Sequence, residues 1–256
     1  MSRTLQHSSN AVDVQRIINK NTPFAVKEAY RSLYTNVLYL PLEEGCKKFV
    51  VTSAYPGEGK TSLSINLAIT IAMNSPESRV LIIDSDMRSP RVPVLLNLDE
   101  RAHGLSEYLA SIDSEPHLTE TEYSNLKVLT SGKGNANTPG LLSSSRMKKL
   151  CEYLDNNFDF VIIDTPPVNV VADAMLLNEH VNGYIMVARA DYSDVNSLSE
   201  AIGKLKAADA NIFGIVLSSY DSKKSGSGYG RYGKYGRYGK YGSYGYGYGS
   251  GSSKED

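Results

Sequence analysis

The chain has 256 residues, 41% of them apolar and 21% charged, with a formal net charge of −1; this is enough apolar material for one sizeable core. Its two cysteines, Cys46 and Cys151, and four histidines, His7, His103, His117 and His180, stand at no metal-ligand or redox spacing, so neither a disulfide framework nor a zinc site is expected. No apolar run is long enough to span a membrane and MSRTLQHSSN opens no secretory leader, so a reducing cytoplasm is the expected compartment.

Residues 1–22 read as an N-terminal extension. After them PFAVKEAYRSLYTNVLYL (23–40) opens on a proline and places Phe24, Leu33, Val37 and Leu40 on one stripe, predicting a helix whose other face carries Glu28 and Arg31. KKFVVTS (47–53) predicts a buried strand, AYPGEGKT (54–61) a glycine-rich turn, and SLSINLAITIAM (62–73) a helix. Five further apolar runs follow: RVLIID (79–84), LKVLTS (126–131), FDFVIID (158–164), GYIMVAR (183–189) and IFGIVLS (212–218). None alternates apolar with polar, as expected of parallel strands covered on both faces by helices. Two of those helices are predicted at 143–158, with Met147, Leu150, Cys151, Leu154 and Phe158 inward, and at 194–209, capped by Asp194, with Val195, Leu198, Ile202 and Leu205 inward. The fold class is therefore α/β, a mostly parallel sheet between helical layers, over 23–221.

Beyond Asp221 the pattern stops. Residues 222–256 consist mainly of Gly, Ser, Tyr, Lys and Arg, with no aliphatic side chain to offset the entropy of ordering, and are expected to be disordered. Within them YGRYGKYGRYGKYGSYGYGY (229–248) holds eight tyrosines. Residues 222–251 carry six Lys/Arg and no acid, so the −1 of the whole chain leaves −7 on the remainder: a basic tail on an acidic body.

A glycine-rich turn between strand and helix aims consecutive backbone N–H groups at an anion. Here Pro56, Gly57, Glu58, Gly59, Lys60, Thr61 and Ser62 form the expected nucleotide-binding run, with Lys60 reaching the outer phosphates and the Thr61 hydroxyl a ligand for Mg²⁺. Ala54 occupies the first glycine position of the G-x-x-x-x-G-K-[ST] pattern. Taken alone, G-x-G-K-T could be a plain connecting turn; the strand before it and the helix after it select the phosphate loop. Two apolar strands end in acids, the first in Asp84 and Asp86, followed by Arg88, the second in Asp164. Ligands of parallel sheets bind at the carboxyl ends of the strands, so loop and acids should converge. Thr61, Asp164 and Asp86 would then organise the metal, Asp84 would accept a proton from the nucleophile, and Lys60 and Arg88 would balance charge on a transferring phosphoryl group.

VVTSAYPGEGKTS, VLIIDSDMR and FVIIDTPP resemble the Walker A, Walker A′ and Walker B motifs of the bacterial tyrosine kinases (BY-kinases), and GLSEYL (104–109) and LTSGKGNANTPGLLSS (129–144) add to the likeness. The resemblance implies a P-loop NTPase fold over 23–221 and an ATP- and Mg²⁺-dependent protein-tyrosine autokinase acting in capsular or exopolysaccharide synthesis and export. It also implies that Tyr229, Tyr232, Tyr235, Tyr238, Tyr241, Tyr244, Tyr246 and Tyr248 are phosphorylated between subunits, with further protein substrates open. A tail of this composition reaches roughly 30 Å, enough to enter a neighbouring subunit's cleft. The family's E-x-x-R-x-x-R helix joins subunits into a ring; Glu28 and Arg31 match it and the third position is Tyr34. A transmembrane modulator would hold such a separate kinase chain at the inner face of the membrane. The family's usual asparagine near the base is Ser218 here. A nucleotide-switched ATPase of the partitioning or septum-placing type, without kinase activity, is the alternative, but its signature lysine is replaced by Tyr55. No nucleic-acid partner is expected.

Overall fold

The computed structural model describes residues 16–100, 102–134 and 137–220. The tail, and with it every expected phosphorylation site, lies outside the described residues.

In chain order the elements are α1 (Phe24–Leu38), β1 (Lys47–Ser53), α2 (Lys60–Asn74), β2 (Val80–Asp84), α3 (Val92–Leu95), α4 (Leu105–Leu109), β3 (Thr119–Glu120), β4 (Leu126–Leu129), α5 (Thr138–Leu142), α6 (Ser145–Asn157), β5 (Phe160–Asp164), a 3-10 turn (Met175–His180), β6 (Gly183–Arg189), α7 (Val195–Ala207) and β7 (Ile212–Ser218). The strands form one sheet in the order β3-β4-β2-β5-β1-β6-β7. All neighbours are parallel except β3, a two-residue antiparallel edge that its sequence did not announce. β5 enters late in the chain yet lies between β1 and β2. That insertion brings the carboxyl ends of β1, β2 and β5 side by side.

The uniform apolarity of the strands has the expected cause. Successive side chains point to opposite faces, and both faces are covered. Phe49, Val51, Ile82 and Ile162 pack with α2 on one side; Val50, Leu81, Ile83, Val161 and Ile163 pack with α6 and α7 on the other. α2 is buried almost along its length, from Thr61 to Ala72, which explains why its sequence is apolar nearly all round. The predicted cap forms, Asp194 accepting the Ser197 N–H at 2.9 Å; Ser144, not singled out in the sequence, caps α6 by accepting from Met147.

Four expectations change. Val195, expected inward, is 77% exposed, because it is the first residue of α7, ahead of the stretch where Ala201 and Leu205 are buried. Phe24 is 66% exposed, because it sits in the first turn of α1, ahead of the stretch where Leu33, Val37 and Leu40 meet the core. β7 is an edge strand with Ile215 and Leu217 half exposed, since among the described residues no further strand pairs with that margin. The end of the 1–22 segment joins the domain: Ile17 and Ile18 are buried, and Asn66 of α2 accepts the Ile18 N–H at 2.8 Å while donating to the Arg16 carbonyl at 2.9 Å.

Candidate active site

The turn from β1 to α2 is built by two glycines in left-handed backbone, Gly57 (φ +83°) and Gly59 (φ +93°), the second directly before the first helical residue, Lys60. Each would cost a side-chain-bearing residue strain at this φ. Ala54, at the first glycine position of the pattern, is fully buried and has no such φ, so its methyl is accommodated. The start of α2 thereby faces a cleft of about 510 Å³ with its unpaired N–H groups.

That cleft is cationic. Lys60, Arg16, Arg88, Arg91 and Arg189 line it, and of the three strand-end acids only Asp86 does. Asp86 holds the Lys60 ammonium at 3.1 Å. Behind them Asp164 is wholly enclosed and accepts from the Thr61 hydroxyl at 2.7 Å and the Ser64 hydroxyl at 3.0 Å. Ser64 follows Thr61 by one turn on the same face of α2, a periodicity that could have marked it in the sequence.

Asp84, expected as the proton acceptor, is instead shut away from the cleft. It is fully buried, pairs across the sheet with Asp164, and one carboxylate oxygen accepts the Asp86 N–H at 3.1 Å while the other accepts from the Arg91 and Val92 N–H groups at 3.1 and 3.0 Å. Those bonds shape the turn that aims Asp86 at Lys60. Burial, and then the neighbouring Asp164, push the Asp84 carboxyl up to about 8. Burial also raises Asp164, against the opposing pull of Lys60 and its two hydroxyl donors. Burial alone would depress the Lys60 ammonium, but Asp164 and Asp86 more than offset it and raise it.

Arg88 lines the cleft and is gripped by Asp173 through two bonds, at 2.9 and 3.3 Å. Asp173 lies on the loop after β5, 85 residues on, with no motif to signal it. Glu58 departs from the expected nucleotide-facing run in its side chain. It is buried, accepting from the Tyr55 N–H at 2.8 Å and from the Ser193 hydroxyl, while Ser218 donates to the Glu58 carbonyl at 2.6 Å. Arg189 and the Tyr192 hydroxyl bond the carbonyls of Gly57 and Pro56, both at 3.1 Å, so the loop after β6 and the end of β7 brace the phosphate loop from outside. Glu58→Ala should therefore strip two donors of their acceptor and lower stability by about 1–3 kcal/mol. Urea unfolding, together with a weaker nucleotide affinity in calorimetry, checks this; unchanged values would show the brace to be idle.

The ion pair of Glu28 and Arg31 is exposed on α1, and the Tyr34 hydroxyl meets Ser75 Oγ at 2.6 Å. Tyr34 is thus spent on a contact between α1 and the end of α2.

A parallel sheet, a left-handed glycine turn into a buried helix and a lysine-lined anion cleft backed by strand-end acids define a P-loop nucleotide-binding protein, and the cell division ATPase MinD of Pyrococcus furiosus superposes with a TM-score of 0.55 at 25% identity over 67% of this chain and 71% of its own. Residues 46–212 match the AAA domain family.

Closer likenesses narrow the class. The putative tyrosine-protein kinase CapB of Staphylococcus aureus is 32% identical over 80% of this chain and 89% of its own length. The kinase domain of Escherichia coli tyrosine kinase ETK superposes with a TM-score of 0.73 at 31% identity, covering 91% of this chain and 88% of that one. The chain belongs to the bacterial tyrosine kinases; it is a nucleotide-binding protein-tyrosine kinase. Full-length Etk of Escherichia coli K12 is matched over only 30% of its length, so there the equivalent domain is part of a longer chain.

Proposed function

We propose that this kinase transfers the terminal phosphoryl group of ATP to tyrosines of its own tail, from one subunit to the tail of another. The observation that carries the reading is the pairing of a cationic anion cleft with one inward-facing acid, Asp86, bound to Lys60. Lys60, the amides from Gly57 to Thr61, and Arg88 bind and neutralise the phosphates, Lys60 and Arg88 balancing charge as it shifts in the transition state.

The oxygen-only donor set of Thr61, Asp86 and Asp164 beside a phosphate cradle fits Mg²⁺. When bound, the ion would supply further neutralisation of phosphate charge, held by the Thr61 hydroxyl with Asp86 and Asp164 in support. We assign acceptance of the tyrosine proton to Asp86, which lines the cleft, whereas Asp84 is fully buried away from it. Asp84 is then a positioning residue. A phenol with a pKa near 10 needs such a base at neutral pH.

Each tail phosphate adds about −1.5 to −2 charges, so three or four would cancel the six basic residues and weaken the attraction of the tail to the acidic body of a partner subunit. In this reading Glu28 and Arg31 contribute to a ring of subunits. A membrane-bound modulator holds the kinase at the inner face of the membrane, and capsular or exopolysaccharide synthesis is the process controlled. No helix among the described residues is long and apolar enough to cross a membrane, which is compatible with attachment through another protein.

Transfer between subunits is tested by mixing Lys60→Met chains that keep their tail with wild-type chains truncated after Asp221, adding Mg·ATP and modulator fragment, and mapping residues 222–256 by mass. Phosphate on the Lys60→Met tail is expected. An unmodified tail accompanied by ATP hydrolysis would instead favour the nucleotide-switched ATPase.

A further inference from the structure

Outside the nucleotide cleft, the fold assembles a group that the spacing along the chain conceals. His103 lies just before α4, and Asp113 and His117 lie in the loop between α4 and β3. His103 Nδ1 stands 3.1 Å from Asp113 Oδ2, His117 Nε2 stands 3.7 Å from the same oxygen, and all three ligand atoms fall within 4.8 Å of one another. We propose that His103, Asp113 and His117 form a binding site for a divalent transition-metal ion, zinc first among them.

The argument is geometric and chemical. Zinc takes imidazole nitrogen at about 2.0–2.1 Å and carboxylate oxygen at about 2.0–2.2 Å in a tetrahedron, whose ligand–ligand edges are then about 3.3 Å. The two separations from Asp113, 3.1 and 3.7 Å, bracket that edge before any adjustment. The rings meet edge to face, with centroids 5.9 Å apart, so they do not stack on one another. Two imidazoles and one carboxylate favour zinc, nickel or copper over magnesium or calcium, which prefer all-oxygen shells. His117, exposed at the outside, leaves the fourth position to solvent.

Asp113 is held independently of its carboxylate. Its carbonyl accepts from Arg146, whose guanidinium also bonds the Tyr108 carbonyl and lies 4.1 Å from the centre of the Tyr108 ring. On the other side Glu107 accepts the Gly104 and Lys133 N–H groups, fixing the backbone beside His103. The site is thus framed on two sides by the protein. Lys133 Nζ lies 3.5 Å from His103 Nε2. Metal on Nδ1 places the proton on Nε2, so the exposed lysine side chain would turn away; it is a bystander and not a ligand.

The test is zinc uptake by the untagged full-length chain, in excess Mg²⁺ to occupy the oxygen-lined site, read by competition with a chromophoric chelator. The wild type should take up one equivalent that His103→Ala and His117→Ala each weaken by about tenfold or more, while Lys133→Gln retains it. Equal uptake by wild type and both histidine variants, or none by the wild type, overturns the proposal. Wild-type protein alone provides a second reading that does not depend on variants folding. Zinc should protect His103 and His117, but not His180, from carbethoxylation by diethylpyrocarbonate, mapped by mass spectrometry. Modification of all three at rates unaffected by zinc also overturns it.

Discussion

Lys60→Met is expected to lower phosphoryl transfer by at least about 10²–10³-fold, the usual consequence of removing one preorganised charge partner from a transition state. The same change should destabilise the nucleotide-free protein. Lys60 is buried beside Asp86 and supports Asp164, and deleting one member of a buried ion pair leaves the other without compensation, at a cost of about 3–5 kcal/mol. The two losses should separate when nucleotide is supplied, because phosphates bring negative charge rather than a replacement cation. Rates of tail phosphorylation with Mg·ATP, and urea midpoints with and without ADP in metal-free buffer, provide the measurement. Wild-type phosphorylation by the variant would remove Lys60 from the chemistry; an unchanged midpoint would mean that the acids relax or protonate without penalty.

Asp84→Asn should alter how stability depends on pH, and the direction follows from the raised carboxyl. An unfolded aspartate titrates near 3.8, the folded Asp84 at about 8. Between these values the folded state holds a proton that the unfolded state has released, so in the wild type this group lowers stability progressively as pH rises from about 4 to 8. Below that window the burden vanishes, and above it the burden is complete, on the order of a few kcal/mol. Asparagine cannot ionise, so the difference in unfolding free energy, wild type minus variant, should fall across the window in metal-free, nucleotide-free buffer. Parallel stability curves would sink the idea that burial strains this acid. Kinase assays on the same variant address its role: with Asp86 as proton acceptor, Asp84→Asn should retain turnover well above that of Asp86→Asn, whereas equal inactivation would return Asp84 to the chemistry.

Much of the molecule was legible in one dimension because its signals are local. Uninterrupted apolar runs announced six of the seven strands, since a strand covered on both faces leaves no polar register. The two glycines needing positive φ, the lysine after them and the strand-end acids declared a phosphate site through short-range backbone geometry. The two-residue β3 escaped because so short an edge has no periodicity. β7 and Phe24 read as buried because apolar character alone does not say where a sheet or a helix face ends.

What composition and spacing determined was therefore the architecture, the phosphate loop and the set of acids around it, each encoded within a few neighbouring residues. Which acid faces the cleft was decided only by tertiary structure: three backbone N–H groups enclose Asp84 and leave Asp86 against Lys60. The grip of Asp173 on Arg88, the bracing of Glu58 by Ser193 and Ser218, and the meeting of His103 with His117 across Asp113 arise in the same way. Their physical cause is chain crossing, which sets residues from separate loops within bonding distance by packing elsewhere, and no local pattern records it.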